Sequence, residues 1–210
     1  MNKNRLEAFS DGVFAIVITL LILNVKVPDV HITNNVQLNH IIFAALPKLL
    51  SFGFSFLVIG IFWIAHHRIF SFAKVVDTPL LWLNLVYLMF NALVPFPASI
   101  LADNFFLPTT ILIYTGTLFL ISMMHFIILE YIIRNEDVKH GALTKSVYRS
   151  AVRSAIFSPV CFLLAGASCF ISAYLSLFFI ICALFFSIFI IGKNKVSKKL
   201  IAVAKEEAAP

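Results

Sequence analysis

The 210-residue chain is 61% hydrophobic and 12% charged, with a mean hydropathy of +0.99 and a net charge of +6. A soluble domain averages about 45–50% apolar and about 25% charged residues, so this composition excludes an ordinary soluble enzyme, a disordered chain and a disulfide scaffold. It leaves an all-α integral membrane protein built almost wholly from spanning helices.

Apolar runs separated by polar breaks predict six spans. The first covers about Leu6 to Val27 and stops at Pro28. The second covers about Ile41 to Ile64 and runs on to His66-His67-Arg68. The third covers about Pro79 to Leu101 and the fourth about Thr110 to Ile133. The fifth, about Ala151 to Ala173, is parted from the sixth, about Tyr174 to Gly192, by a tight turn near Ser172–Ser176. Residues 1–210 read as one six-helix domain, with 193–210 a basic tail. Lys3 and Arg5 ahead of an apolar run mimic a signal peptide. Asp11 interrupts that run, and Asn24-Val25-Lys26-Val27-Pro28 offers no small-residue cleavage site, so the stretch reads as the first span.

Fourteen of the sixteen Lys and Arg residues fall on one side of these spans; only Lys26 and Lys48 fall on the other. By the positive-inside rule both termini are cytoplasmic, as an even number of spans requires, in a multi-pass protein of the cell membrane. The basic residues therefore report orientation, not nucleic-acid binding, and the tail from Lys193 to Lys205 suits anionic lipid heads. Cys161, Cys169 and Cys182 lie inside apolar stretches with no zinc or redox spacing.

An ionisable group at membrane depth needs a partner or water. Asp11, beside Ser10, is the clearest case. Arg5 is six residues earlier, about 120° away around the helix, and poorly placed to pair with it. Partners are expected from other helices: Trp63, His66, His67 and Arg68 on the second span and Asn84 on the third. The result would be a polar network joining the first three spans near the inner surface. Two roles stand for it, a gate or coupling element and a structural lock, since interhelical hydrogen bonds in membranes contribute about 0.6–2 kcal/mol each.

Ile16, Leu20 and Leu23 are spaced four and three apart and share one helix face, with Thr19 at its edge. In a lone helix such a stripe serves packing or lipid contact. Around an oligomer axis it forms stacked apolar rings that gate by dewetting. Adjacent histidines point about 100° apart and do not suit a single metal ion. His125 and Glu130 are not an intrahelical pair, whereas Glu130 and Arg134 match at i,i+4. Asn91 and Pro95-Phe96-Pro97 are expected to break the third helix near its outer end. No phosphate loop, nucleophile elbow, HExxH helix or TVGYG-type filter occurs, so an enzyme with a resident cofactor or metal is not expected.

Arg5-x-x-x-Phe9-Ser10-Asp11-Gly12, continued by the apolar run from Val13 to Leu23, resembles the RxxxFSD signature of the transmembrane protein 175 family of potassium channels. Trp63…His66-His67-Arg68 and Trp82-x-Asn84 are similar to that family too. A single six-span repeat resembles its prokaryotic form, which implies a homotetramer with the first helix lining the pore. The resemblance further implies a constriction at Ile16, Leu20 and Leu23, with Thr19 as a selectivity position. It assigns Arg5, Ser10 and Asp11, with second- and third-span polar residues, to a bonding network on the cytoplasmic side. The implied function is passive, potassium-selective cation flux without a cofactor. The alternative is a proton channel or proton-coupled transporter, suggested by Asp11, His66, His67 and His125.

Overall fold

A computed structural model describes residues 2–25, 34–139 and 145–193, without the side chains at 145–148, 150, 154 and 190–193. The tail beyond Lys193 lies outside the described residues. The described residues are mostly helical, and their only β pairing is an isolated bridge between Ala73 and Lys139.

Helix α1 (Lys3–Leu20) starts where the Asn2 side chain accepts the Asn4 amide, and it tightens into a 3₁₀ turn over Leu21–Asn24. The sequence pattern alone suggested one regular span. Three residues of 3₁₀ helix complete a turn, so the change keeps Leu23 on the same side as Leu20.

Helix α2 (Asn35–Phe70) is 36 residues long, against 24 in the predicted span. Its first turn is capped by Asn34, whose Oδ1 accepts the Gln37 amide at 2.8 Å, so the helix begins before the apolar run does. Pro47 sits inside it.

The third span is split, as its prolines suggest. Helix α3 (Thr78–Leu93) and helix α4 (Pro95–Asp103) meet at Val94, because Pro95 lacks the N–H that would continue the ladder. Asn24 Nδ2 donates to the Pro95 carbonyl at 3.1 Å and ties the end of the first span to this break.

Helix α5 (Pro108–Arg134) follows the predicted fourth span, and Arg134 Nε reaches Glu130 Oε2 at 2.6 Å. Helix α6 (Lys145–Ser168) ends five residues before the predicted boundary, and α7 (Ala173–Lys193) begins at once after the turn. The turn lies at 169–172, not at Ser172–Ser176. Ile171 and Ser172 donate their amides to the Ser168 carbonyl, and Ser168 Oγ meets Ser176 Oγ at 3.2 Å, so polar groups that seemed to mark a loop close the turn from within the helices.

Among the described residues, five helical stretches are long and apolar enough to cross a membrane, counting α3 with α4 and α1 with its 3₁₀ turn; Ala173–Phe189 is a shorter apolar sixth. Phe14, Val58, Ile59, Tyr87, Leu118 and Phe162 lie in the core between them.

One end of the bundle is stitched by polar bonds between connections. Lys74 donates its amide to the Val138 carbonyl, and Lys3 Nζ donates to the Ala73 carbonyl at 2.8 Å. Asp77 caps α3 through the Leu80 amide and also accepts from the Tyr131 hydroxyl. This end carries Lys3, Lys74, Arg134 and Lys139, and is called the basic end below. Lys48 lies 3.1 Å from Asp103 at the opposite end.

Candidate functional site

Helix α1 presents two unlike faces. Leu6, Ser10, Phe14, Val17 and Leu21 are buried, at spacings of four, four, three and four. The helix packs through them against α2 and α3. The other face carries Ile16, Leu20 and Leu23, which are 60%, 43% and 64% exposed within one chain. Thr19 is exposed between them, its hydroxyl bonded back to the carbonyls of Ala15 and Ile16. That bond spends the hydroxyl hydrogen on the helix itself and leaves the oxygen's lone pairs outward.

On the buried side Ser10 is fully enclosed and donates to the Leu6 carbonyl at 2.9 Å. It accepts from Asn84 Nδ2 at 3.0 Å, while Asn84 Oδ1 meets His66 Nε2 at 2.7 Å. Asn84 thus uses both ends of its amide, and its carbonyl requires His66 to carry the hydrogen on Nε2. The His66 ring stacks on Tyr87 with centroids 5.4 Å apart and 12° between planes, and packs on Phe70 at 4.4 Å. Tyr87 in turn donates its hydroxyl to the Phe62 carbonyl. Toward the edge of the α1–α2 contact, Trp63 Nε1 donates to Asp11 Oδ1 at 2.8 Å. Five of the eight polar residues singled out in the sequence for the network, Ser10, Asp11, Trp63, His66 and Asn84, are therefore hydrogen-bonded across α1, α2 and α3.

Arg5 and His67 are not among them. Both are exposed, and neither side chain joins these bonds among the described residues. The reason is rotation about the axis: Arg5 and Ile16 are eleven residues apart and so within about 20° of each other, on the face turned away from α2 and α3. His67 is rotated about 100° from the buried His66. Arg68 instead turns toward α5 and α6. His125 lies with its ring centroid 6.2 Å from that of Tyr87, and no hydrogen bond links it to the set around Asn84 among the described residues.

The sequence reading missed the part played by Asp77. Its signal was present: Asp77-Thr78-Pro79 is a cap residue followed by proline in the first helical turn. The partnership with Tyr131 and with Asn135 Nδ2, at 3.4 Å, had no local signal, because more than fifty residues separate them.

Residues 5–95 match the family described as endosomal/lysosomal potassium channel TMEM175. A potassium channel of Chryseobacterium sp. (strain P1-3) is 32% identical over 201 residues, which cover 95% of this chain and 98% of that one. The chain belongs to the TMEM175 family. The crystal structure of a lysosomal potassium-selective channel TMEM175 homolog from Chamaesiphon minutus superimposes with a TM-score of 0.77 at 32% identity, covering 90% of this chain and 97% of that chain. The endosomal/lysosomal proton channel TMEM175 of Danio rerio is 43% identical over 77 residues, which are 33% of this chain and 15% of the fish protein. The TMEM175 family comprises ion channels, not enzymes, and this member is a membrane protein of the prokaryotic type.

Proposed function

We propose that the chain forms a homotetrameric, passive, potassium-selective channel in a prokaryotic cell membrane, with both termini cytoplasmic and α1 lining the pore. The observation that carries this reading is the two-faced α1. One face is locked to α2 and α3 by packing and by the Ser10–Asn84–His66 bonds. The other offers Ile16, Leu20 and Leu23 in line, all exposed among the described residues. Four copies around an axis make a narrow apolar throat from these side chains.

Potassium sheds hydration water more readily than sodium, so a throat that strips part of the shell favours potassium. No carbonyl cage replaces the lost water, and the preference is weaker than in filter-bearing channels. Thr19 supplies the outward hydroxyl oxygens closest to the constriction and contributes to selectivity. Arg5, on the same side of α1 as Ile16, stands at the basic mouth. Ser10, Asp11, Trp63, His66 and Asn84 hold α1 at a fixed rotation, and His67 borders this lock.

Replacing Ile16 with Asn wets the throat. In planar bilayers with potassium facing sodium, Ile16→Asn raises conductance and moves the reversal potential toward zero. An unchanged conductance and potential would remove Ile16 from the constriction. The name carried by the fish relative favours a second reading, proton conduction, with Asp11 as its acid. Reversal potentials measured under separate potassium and proton gradients decide between the two.

A further inference from the structure

Between α2, α5, α6 and α7, toward the basic end, the helices line a partly open, mostly apolar cavity of about 70 Å³. Arg68 of α2 and His125 of α5 line it, with the hydroxyl-bearing Ser122, Ser158 and Ser187. None of the ion pairs among the described residues engages Arg68. The Nδ1 atom of His125 is enclosed with no hydrogen-bond partner, although the residue as a whole is only half-buried and borders the cavity. A guanidinium held in low-dielectric surroundings needs a counter-charge, and an enclosed imidazole nitrogen needs a partner.

Water alone hydrates such a cation but does not neutralise it. At about 10–15 Å³ per water the cavity has room for roughly five heavy atoms, the size of a phosphate group and several times that of a halide. The planar fork of an arginine matches two oxygens of one oxyanion. Ser187 Oγ spends its hydrogen on the Ala183 carbonyl, so Ser158 is the donor in the 3.2 Å bond between the two hydroxyls, and the lining polar groups left to engage an anion are Arg68 and His125. The basic residues around this end of the bundle raise the local concentration of anions.

We propose that this cavity binds one phosphate-type oxyanion, either free inorganic phosphate or the phosphate of an anionic lipid head, with Arg68 as the bidentate cation and His125 as a second donor. The site lies on the side of α2 away from the α1 contact, and it is independent of which ion the protein conducts.

The test is thermal unfolding of the purified full chain in neutral detergent. The additions are inorganic phosphate at constant ionic strength, short-chain phosphatidylglycerol, and short-chain diacylglycerol as the phosphate-free control. A saturable rise in Tm with phosphate, phosphatidylglycerol or both, and none with diacylglycerol, is expected. Phosphate acting alone identifies a free anion, and phosphatidylglycerol acting alone identifies a lipid head. Arg68→Gln weakens the apparent affinity by about tenfold or more, and His125→Phe weakens it by less. No saturable rise in the wild type, or an Arg68→Gln titration that superimposes on the wild type, overturns the proposal. Should Arg68→Gln not fold, the His125→Phe titration decides by the same criterion.

Discussion

Asn84 shows what a single side chain does at the centre of this bundle. Its amide donates to Ser10 and accepts from His66, so three buried polar groups from three helices are satisfied by one residue. Asn84→Leu leaves the His66 ring nitrogen without its acceptor and Ser10 without its donor. Each orphaned buried group costs about 1–3 kcal/mol, and the variant should unfold several degrees lower in detergent. Adding His66→Phe removes one of those orphans, so the double variant is expected to recover part of the loss, and strict additivity of the two changes would argue against the contact. Trp63→Phe deletes one bond at an exposed flank. Interhelical hydrogen bonds in membranes average about 0.6 kcal/mol, so its Tm should fall far less than that of Asn84→Leu. If channel opening involves rotation of α1, Trp63→Phe will nevertheless raise open probability, because the Trp63–Asp11 bond ties α2 directly to α1.

The elements follow from local chemistry where that chemistry is strong. Asp77-Thr78-Pro79 starts α3, and Pro95 ends it by withholding an N–H. Asp77 also accepts from Tyr131 and Asn135, more than fifty residues further along the chain, which couples the α2–α3 connection to the end of α5. Asp77→Ala removes the cap and both long-range partners. Hydrogen exchange at the Leu80 and Leu81 amides should accelerate markedly, by a factor of ten or so for about 1–2 kcal/mol of lost capping, while amides near Leu118 in the middle of α5 stay protected. The turn between α6 and α7 is a case where the sequence misled. Ser172 and Ser176 looked like the loop itself, yet Ser176 is buried inside α7 and bonded to Ser168. Serine inside an apolar helix can return its hydrogen to the preceding turn, so its polarity does not mark a break.

For the whole molecule, the exposed stripe on α1 is the decisive surface. In the proposed tetramer Leu23 of one copy would face Leu23 of its neighbours; Leu21 is buried within its own chain and Leu23 is exposed. Oxidation of a Leu23→Cys variant in native membranes should therefore give cross-linked dimers, and Leu21→Cys should stay monomeric on the same gel. Light scattering of the purified protein, corrected for detergent, should give four times the 23.6 kDa chain mass. Cross-linking of Leu21→Cys in preference to Leu23→Cys would place a different face of α1 at the axis.

Composition and hydropathy alone determined that the chain resides in a membrane, where its helices fall within several residues, and which polar side chains had to find partners there. Those are consequences of bilayer thickness and of the cost of unpaired polar groups in hydrocarbon, and both act on local sequence. Only the tertiary structure decided which partners they found. The rotation of α1 that brings Ser10 to Asn84 leaves Arg5 on the opposite side with Ile16. The rotation of α2 sends His66 inward, His67 outward and Arg68 toward α5. Helix rotation is set by the packing of whole faces against neighbours distant in the chain, and that information is not carried by any one segment.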